Sequence, residues 1–178
     1  MKYRSLIILS LLLLTYVSCK KLDKLTQFDM DYDSSITIKS TVGINLPFNI
    51  YTPDITTNSE STFKSNDTRK DLIEKIVLKT LQMTIKTPSD GDFSFLKSIE
   101  IKIAADGLSD KKIAWNYDIP NNVGNKISLQ TSGDDLKEYI MKDSYKLKVT
   151  TTTDKILTQD HTIDIHSVFF VDAKILGL

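Results

Sequence analysis

Apolar and polar residues alternate with a period of two along most of this chain. Phe28, Met30 and Tyr32 interleave with Asp29, Asp31 and Asp33, and Ile36 and Ile38 continue the habit beyond Ser34 and Ser35. This is the signature of a strand with one buried face. Ile44, Leu46, Phe48 and Ile50 form a second set; Pro47 among them marks a sheet edge or a bulge, because proline cannot donate to a ladder. Leu81, Met83 and Ile85 make a third strand, ended by Pro88, and Ile99, Ile101 and Ile103 make its partner. Ile113, Trp115, Tyr117 and Ile119 follow, stopped by Pro120, Asn121 and Asn122; Ile127 and Leu129 come next. Tyr145, Leu147 and Val149, then Ile163 and Ile165, repeat the period. The stretch 168–175 is too apolar for an exposed tail and reads as a terminal strand near the middle of a sheet.

Two short helices are expected between the strands. Thr68, with Asp71 three residues on, has the spacing of an N-cap and an acid that favours the helix dipole; Leu72, Ile73 and Ile76 supply one apolar stripe. Ser132 and Asp135, followed by Leu136 and Ile140, repeat that layout. Glu74 and Glu138 would lie on the solvated helix faces. Residues 52–67, rich in Thr, Ser, Asn and Asp, are expected to be loop. Phe93, Phe95 and Leu96 are expected to plug one end of the core from a loop. The two helix–strand–loop–strand stretches match at a constant offset, Asp71 with Asp135, Leu81 with Tyr145 and Ile99 with Ile163, which suggests a duplicated unit. Any capped short helix before a strand would align in the same way. In either case the two stretches are expected in equivalent places. The elements add up to a mainly β chain, an antiparallel β-sandwich of about eight strands with two short helices.

The beginning of the chain departs from this pattern. Lys2 and Arg4 precede an almost unbroken apolar run from Leu6 to Val17, the layout of a secretory signal and too short to span a bilayer. Val17, Ser18 and Cys19 resemble the lipobox of bacterial lipoproteins; Tyr16 departs from it, standing where Leu would be usual. The resemblance implies cleavage before Cys19, a diacylglycerol on its thiol and a fatty acyl chain, such as palmitate, on its new amino group. Two or three chains make a lasting membrane tether where one holds only marginally. The expected organisation is a signal peptide over 1–18, a lipidated tether over 19–26 and one domain over 27–178. In layout and composition the whole chain is similar to small envelope lipoproteins of Gram-negative bacteria. No acidic residue directly follows Cys19, and by that analogy the periplasmic face of the outer membrane is the expected location.

Composition narrows the partners. Removing residues 1–18 takes away Lys2 and Arg4, leaving 21 of the 23 basic side chains against 23 acidic ones, a net of −2. Near-neutral charge without a basic block argues against nucleic acid. Cys19 is the single cysteine, so no internal disulfide forms and no thiol remains for catalysis.

The candidate chemistry is sparse. Asp29, Asp31 and Asp33 begin like a calcium loop, but Ser34 and Ser40 stand where that loop needs Gly and Glu, so a solvated strand face is expected. His161 and His166, five apart on one strand, would point to opposite faces and cannot share a metal. Both are expected at the surface, with Asp164 beside His166. Asp90, Gly91 and Asp92 form a turn. Trp115 and Tyr117 would make an aromatic platform for sugar, but a face shared with Ile113 and Ile119 points to core instead. No HExxH, GxSxG, P-loop or GxGxxG is present, and neither catalytic residues nor metal nor cofactor is implied.

Two classes of function follow. One is a non-enzymatic, membrane-tethered module with a binding or structural role, presenting residues 52–67 and 86–98 to an envelope partner. The other is a glycan-binding or glycan-hydrolysing protein, the latter needing two carboxylates across a cleft. A fimbrial subunit donating its apolar C-terminal strand is a third reading.

Overall fold

The computed structural model describes residues 26–174. Cys19, the signal-like segment and Ile175 lie outside the described residues. Strands β1 (Gln27–Ile38), β2 (Pro47–Tyr51) and β3 (Ile55–Thr56) precede helix α1 (Ser59–Ser65). Then come β4 (Ile73–Thr87), β5 (Leu96–Ala104), β6 (Lys111–Asn116), β7 (Lys126–Ser128), β8 (Gln130–Thr131), helix α2 (Lys137–Ile140), β9 (Ser144–Thr153) and β10 (His161–Ala173). They form two antiparallel sheets, one in the order β1-β10-β4-β7 and one in the order β2-β9-β5-β6-β8. β3 continues the line of β2 along the same edge of β9. The fold is the expected β-sandwich.

The inward side chains close between the sheets. Phe169 on β10 stands edge-on to Tyr32 of β1 at 5.7 Å and to Tyr145 of β9 at 6.1 Å between ring centroids. This aromatic cluster bonds the two layers where both sheets face the core. Phe93 and Phe95, in a 3-10 turn, are buried at one end as expected. Gly91 precedes them at a close approach: a Cβ there would lie 3.0 Å from Ile85 and from the Pro88 carbonyl. β10 is bonded on one side to β1 and on the other to β4, the central position expected of the last strand.

Bulges explain where the elements differ from expectation. The first expected helix is only a 3-10 turn over Lys70–Leu72, and Ile73 and Ile76 belong to β4. Three register shifts against β10 leave Glu74, Lys79 and Lys86 without an opposite residue. The inward series becomes Ile73, Ile76, Leu78, Leu81, Met83 and Ile85. A bulge lengthens one step from two to three, and the step of three mimics helical spacing. Glu74 therefore stands on a strand, not on a helix. The stretch 52–67 is not all loop either: it holds β3 and α1, whose Phe63 is fully buried. Ile44 and Leu46 are exposed in the loop before β2 rather than in a strand, while Pro47 opens an edge strand as its chemistry requires.

The second expected helix is present as α2. Asp135 Oδ1 accepts from the N–H of Lys137, at the start of that helix, and from the N–H of Ile76, at 3.0 Å each. One carboxylate thus fixes α2 onto β4. The two stretches related by the constant offset exchange sheets: β4 pairs with β10, and β5 with β9. Their registers differ. Met83 faces Ile165, whereas Leu147, the counterpart of Met83, faces Ile103 rather than Ile101. Their preceding helices also differ, α2 having only a 3-10 turn as its counterpart.

Candidate functional site

The outer face of the larger sheet assembles side chains from five strands. Opposite residues in an antiparallel ladder point to the same side, so register gives the rows directly. One row runs Asn49, Thr150, Glu100, Trp115, Gln130 from β2 to β8. The neighbouring row runs Tyr51, Lys148, Lys102, Lys112. Tyr117, just past β6, is 53 % exposed, and Tyr51 is 54 % exposed.

Trp115 and Tyr117 are thus not core residues, contrary to the expectation from their spacing. Ala114 lies opposite Ile101 and Lys112 opposite Lys102, which leaves Ile113 as an extra residue on β6. Both Ile113 and Ala114 point inward and are fully buried. After two consecutive inward residues the alternation resumes with opposite phase, and Trp115 turns outward. Ile119 is buried only beyond the end of the strand. The adjacent apolar pair Ile113-Ala114 was the available signal.

The aromatic rings are attended by cations. Lys112 Nζ lies 4.6 Å from the centroid of the Trp115 ring and 5.8 Å from that of Tyr117; Lys148 Nζ lies 5.9 Å from Tyr51. Such contacts contribute about 0.5–1 kcal/mol at exposed sites. The Tyr117 hydroxyl donates to Glu100 at 2.5 Å, and this bond raises its pKa. Lys148 donates to Asp110 at 3.3 Å, which raises the ammonium pKa, with Tyr51 adding to the effect. Lys112 has no carboxylate partner among the described residues.

The outer face of the smaller sheet carries the acids. Asp29, Asp31 and Asp33 do form a solvated strand face, with Met30 buried between them and Phe28 and Tyr32 packed against the core. The Tyr32 hydroxyl donates to the Thr57 carbonyl at 2.7 Å, and burial raises its pKa. Lys79 reaches Asp29 at 2.6 Å and Lys86 reaches Asp164 at 3.2 Å. His166 is exposed as expected, but its partner is Asp33, with Nδ1 at 2.8 Å from the carboxylate, rather than Asp164. His161 points the other way, as the spacing required, yet it is buried and not a surface residue. Its ring lies 4.6 Å from that of Phe95, with Nδ1 3.0 Å from the Gln159 carbonyl.

Asp33, Asp54 and Asp164 line an open depression of about 430 Å³. Each carboxylate already faces a base: His166, Lys146 and Lys86 respectively. In the 90–92 turn, Asp92 accepts from the Ser94 N–H, and hydrogen bonding to Ser94 lowers its pKa. Glu138 is exposed on α2. Among the described residues, no group of three or more His, Cys, Asp or Glu is placed to hold a metal ion, and no helix is long and apolar enough to cross a membrane.

No family model and no curated protein matches the sequence. Among solved structures, the chain is similar to one of Desmodium yellow mottle tymovirus, with 14 % identity over 85 % of this chain and 91 % of that one, at a TM-score of 0.35. It is also similar to FLHE, with 4 % identity, coverage of 82 % and 98 %, and a TM-score of 0.34. The BFDV capsid protein shares 12 % identity, with coverage of 83 % and 99 % and a TM-score of 0.37. Likeness at this level transfers no role to the chain.

Proposed function

We propose that this chain is a lipid-tethered, non-catalytic binding module of the bacterial envelope. The observation that carries the reading is the junction Val17-Ser18-Cys19, set only eight residues ahead of Gln27, where the sandwich begins. From Cys19 to the first described residue the chain spans at most about 25 Å, so lipid on that sulfur would hold the β1 start close to a bilayer. β1 then runs about 40 Å away from that end. The turn after β4 lies at the far end, whereas α1 packs Phe63 against Phe28 near the start of β1 and Asp54 lies further along, beside Asp33 and Lys86. The two segments adjoin at the depression lined by Pro53, Asp54, Ile55 and Lys86, while the broad outer face of the larger sheet, with its exposed aromatic rings, offers the larger binding surface.

Glycan binding is the second reading, favoured by the outward rings of Trp115 and Tyr117. Hydrolysis has less support, because the carboxylates of Asp33, Asp54 and Asp164 around the depression they share are exposed and ion-paired. A fimbrial role would require β10 to leave two ladders at once.

Mass spectrometry of the protein purified from envelopes tests the tether. The expected N-terminus is Cys19 bearing diacylglyceryl and acyl mass, absent in Cys19→Ser. An unmodified Cys19 thiol would overturn the reading.

A further inference from the structure

Three features of the outer face of the larger sheet point to one kind of ligand. The first is aromatic surface at both ends: Tyr51 on β2 and Trp115 on β6 stand three strand spacings apart, about 14 Å. The second is the polar row that Trp115 shares, with Asn49 and Thr150, joined by a 2.7 Å hydrogen bond, toward β2 and Gln130 beyond the indole on β8. The third is the line of ammonium groups from Lys148, Lys102 and Lys112 running beside that row. Planar rings take the apolar face of a pyranose, while amides and hydroxyls suit its ring of hydroxyl groups. Lys148 and Lys102 are paired with Asp110 and Glu100, so the preference for negative charge comes from Lys112.

We propose that this face binds an acidic polysaccharide, a chain of sugar rings bearing carboxylates, laid across the strands from Tyr51 to Trp115. The inference deepens the reading of the chain as a tethered binding module and rests on it. Lys112 is the residue that selects an acid. Its ammonium lies over the Trp115 ring and has no carboxylate partner among the described residues. A sugar stacking on the indole lifts that ammonium away on its flexible stem. If the sugar carries a carboxylate, the displaced cation bonds to it; if the sugar is neutral, the cation–π contact is lost without replacement. Glu100 is held by the Tyr117 hydroxyl and by Lys102 at 3.6 Å, so the acid nearest the indole is already partnered. Single-stranded nucleic acid also combines rings with phosphate charge. The row of neutral amide and hydroxyl groups, with Glu100 in its middle, fits sugar hydroxyls better than a continuous phosphate backbone.

Trp115 is the single tryptophan in the chain, so its emission reports on this site alone. The lipidated full-length mature protein, in detergent micelles, is titrated with oligogalacturonate, its methyl ester, polyphosphate and oligo(dT). Oligogalacturonate is expected to give a saturable change in emission, with at least tenfold weaker binding by the ester and by polyphosphate. By calorimetry, Lys112→Gln and Trp115→Ala are each expected to weaken oligogalacturonate binding about tenfold, and Tyr51→Ala severalfold. Unchanged circular dichroism and urea midpoints show that these surface variants still fold. Absence of saturable binding overturns the proposal, as does equal affinity for the ester. Affinity for polyphosphate equal to that for oligogalacturonate, or unaltered by Trp115→Ala, reduces the face to a charge patch and also overturns it. Tighter binding of oligo(dT) assigns the face to nucleic acid instead. None of these failures alters the mass at Cys19, so the tether and the ligand stand or fall separately.

Discussion

The outer faces of the two sheets are both set by bulges, and the identity of the extra residue gives each its chemistry. On β4 the three extra residues are Glu74, Lys79 and Lys86, and each forms an ion pair, with Lys174, Asp29 and Asp164 respectively. A charged residue without an opposite partner is turned to solvent, the apolar series keeps its hold on the core, and the face becomes a mosaic of paired charges. On β6 the extra residue is Ile113, which goes inward beside Ala114. The core gains a side chain there, and what the sheet gives up to solvent is aromatic: Trp115 and, past the strand, Tyr117. Burial decides both cases. A fully buried isoleucine contributes about 1.5–3 kcal/mol, against about 0.2–1 kcal/mol for an exposed ion pair, so the strand bends to suit the apolar residue. The smaller sheet thus presents charges answered by neighbours, and the larger one presents rings and a lysine that lacks an acid.

The contrast between the faces depends on the wall they share. Phe169→Ala, which empties the aromatic cluster between the sheets, is expected to cost about 3–5 kcal/mol in urea unfolding. A loss below about 1 kcal/mol would mean that the layers do not depend on one another there. On the smaller sheet, Asp29→Asn removes the partner of Lys79 and is expected to cost about 0.2–1 kcal/mol at low ionic strength, shrinking as salt is added. A salt-independent loss would show that packing, not charge, holds that face.

The smallest effect expected is at Tyr117 on the larger sheet, whose pKa is raised by its bond to Glu100. A phenol that holds its proton more tightly when folded adds stability that is full below its unfolded pKa of about 10 and is lost as pH rises through the higher folded value. The melting temperature of Tyr117→Phe should therefore fall slightly below that of the parent at pH 7, and the gap should close in alkaline buffer. A gap that widened with pH would contradict the Glu100 bond.

Much of the architecture was legible in the sequence. Alternation over residues 28–38, 99–103 and 145–149 gave strands with the correct buried faces, because the pleat imposes period two wherever the ladder is regular. The cap-like spacing before Leu136 found α2, where the Asp135 carboxylate does accept backbone donors. The same spacing before Leu72 misled, since the bulge at Glu74 puts Ile73 and Ile76 three apart, an interval that a helix would also produce. His161 was misplaced for a related reason: its face was right, but the burial of that face at the start of β10 depends on Phe95, which comes from a distant turn.

By itself the sequence determined the fold class and the in-or-out identity of residues on regular strands. Those follow from local period and composition, which a chain carries without its neighbours. Which residues a bulge leaves unpaired, and therefore which side Trp115 faces, was decided only when β6 met β5 in register. A bulge is a property of two strands, and the free energy that selects it is burial against the opposite sheet.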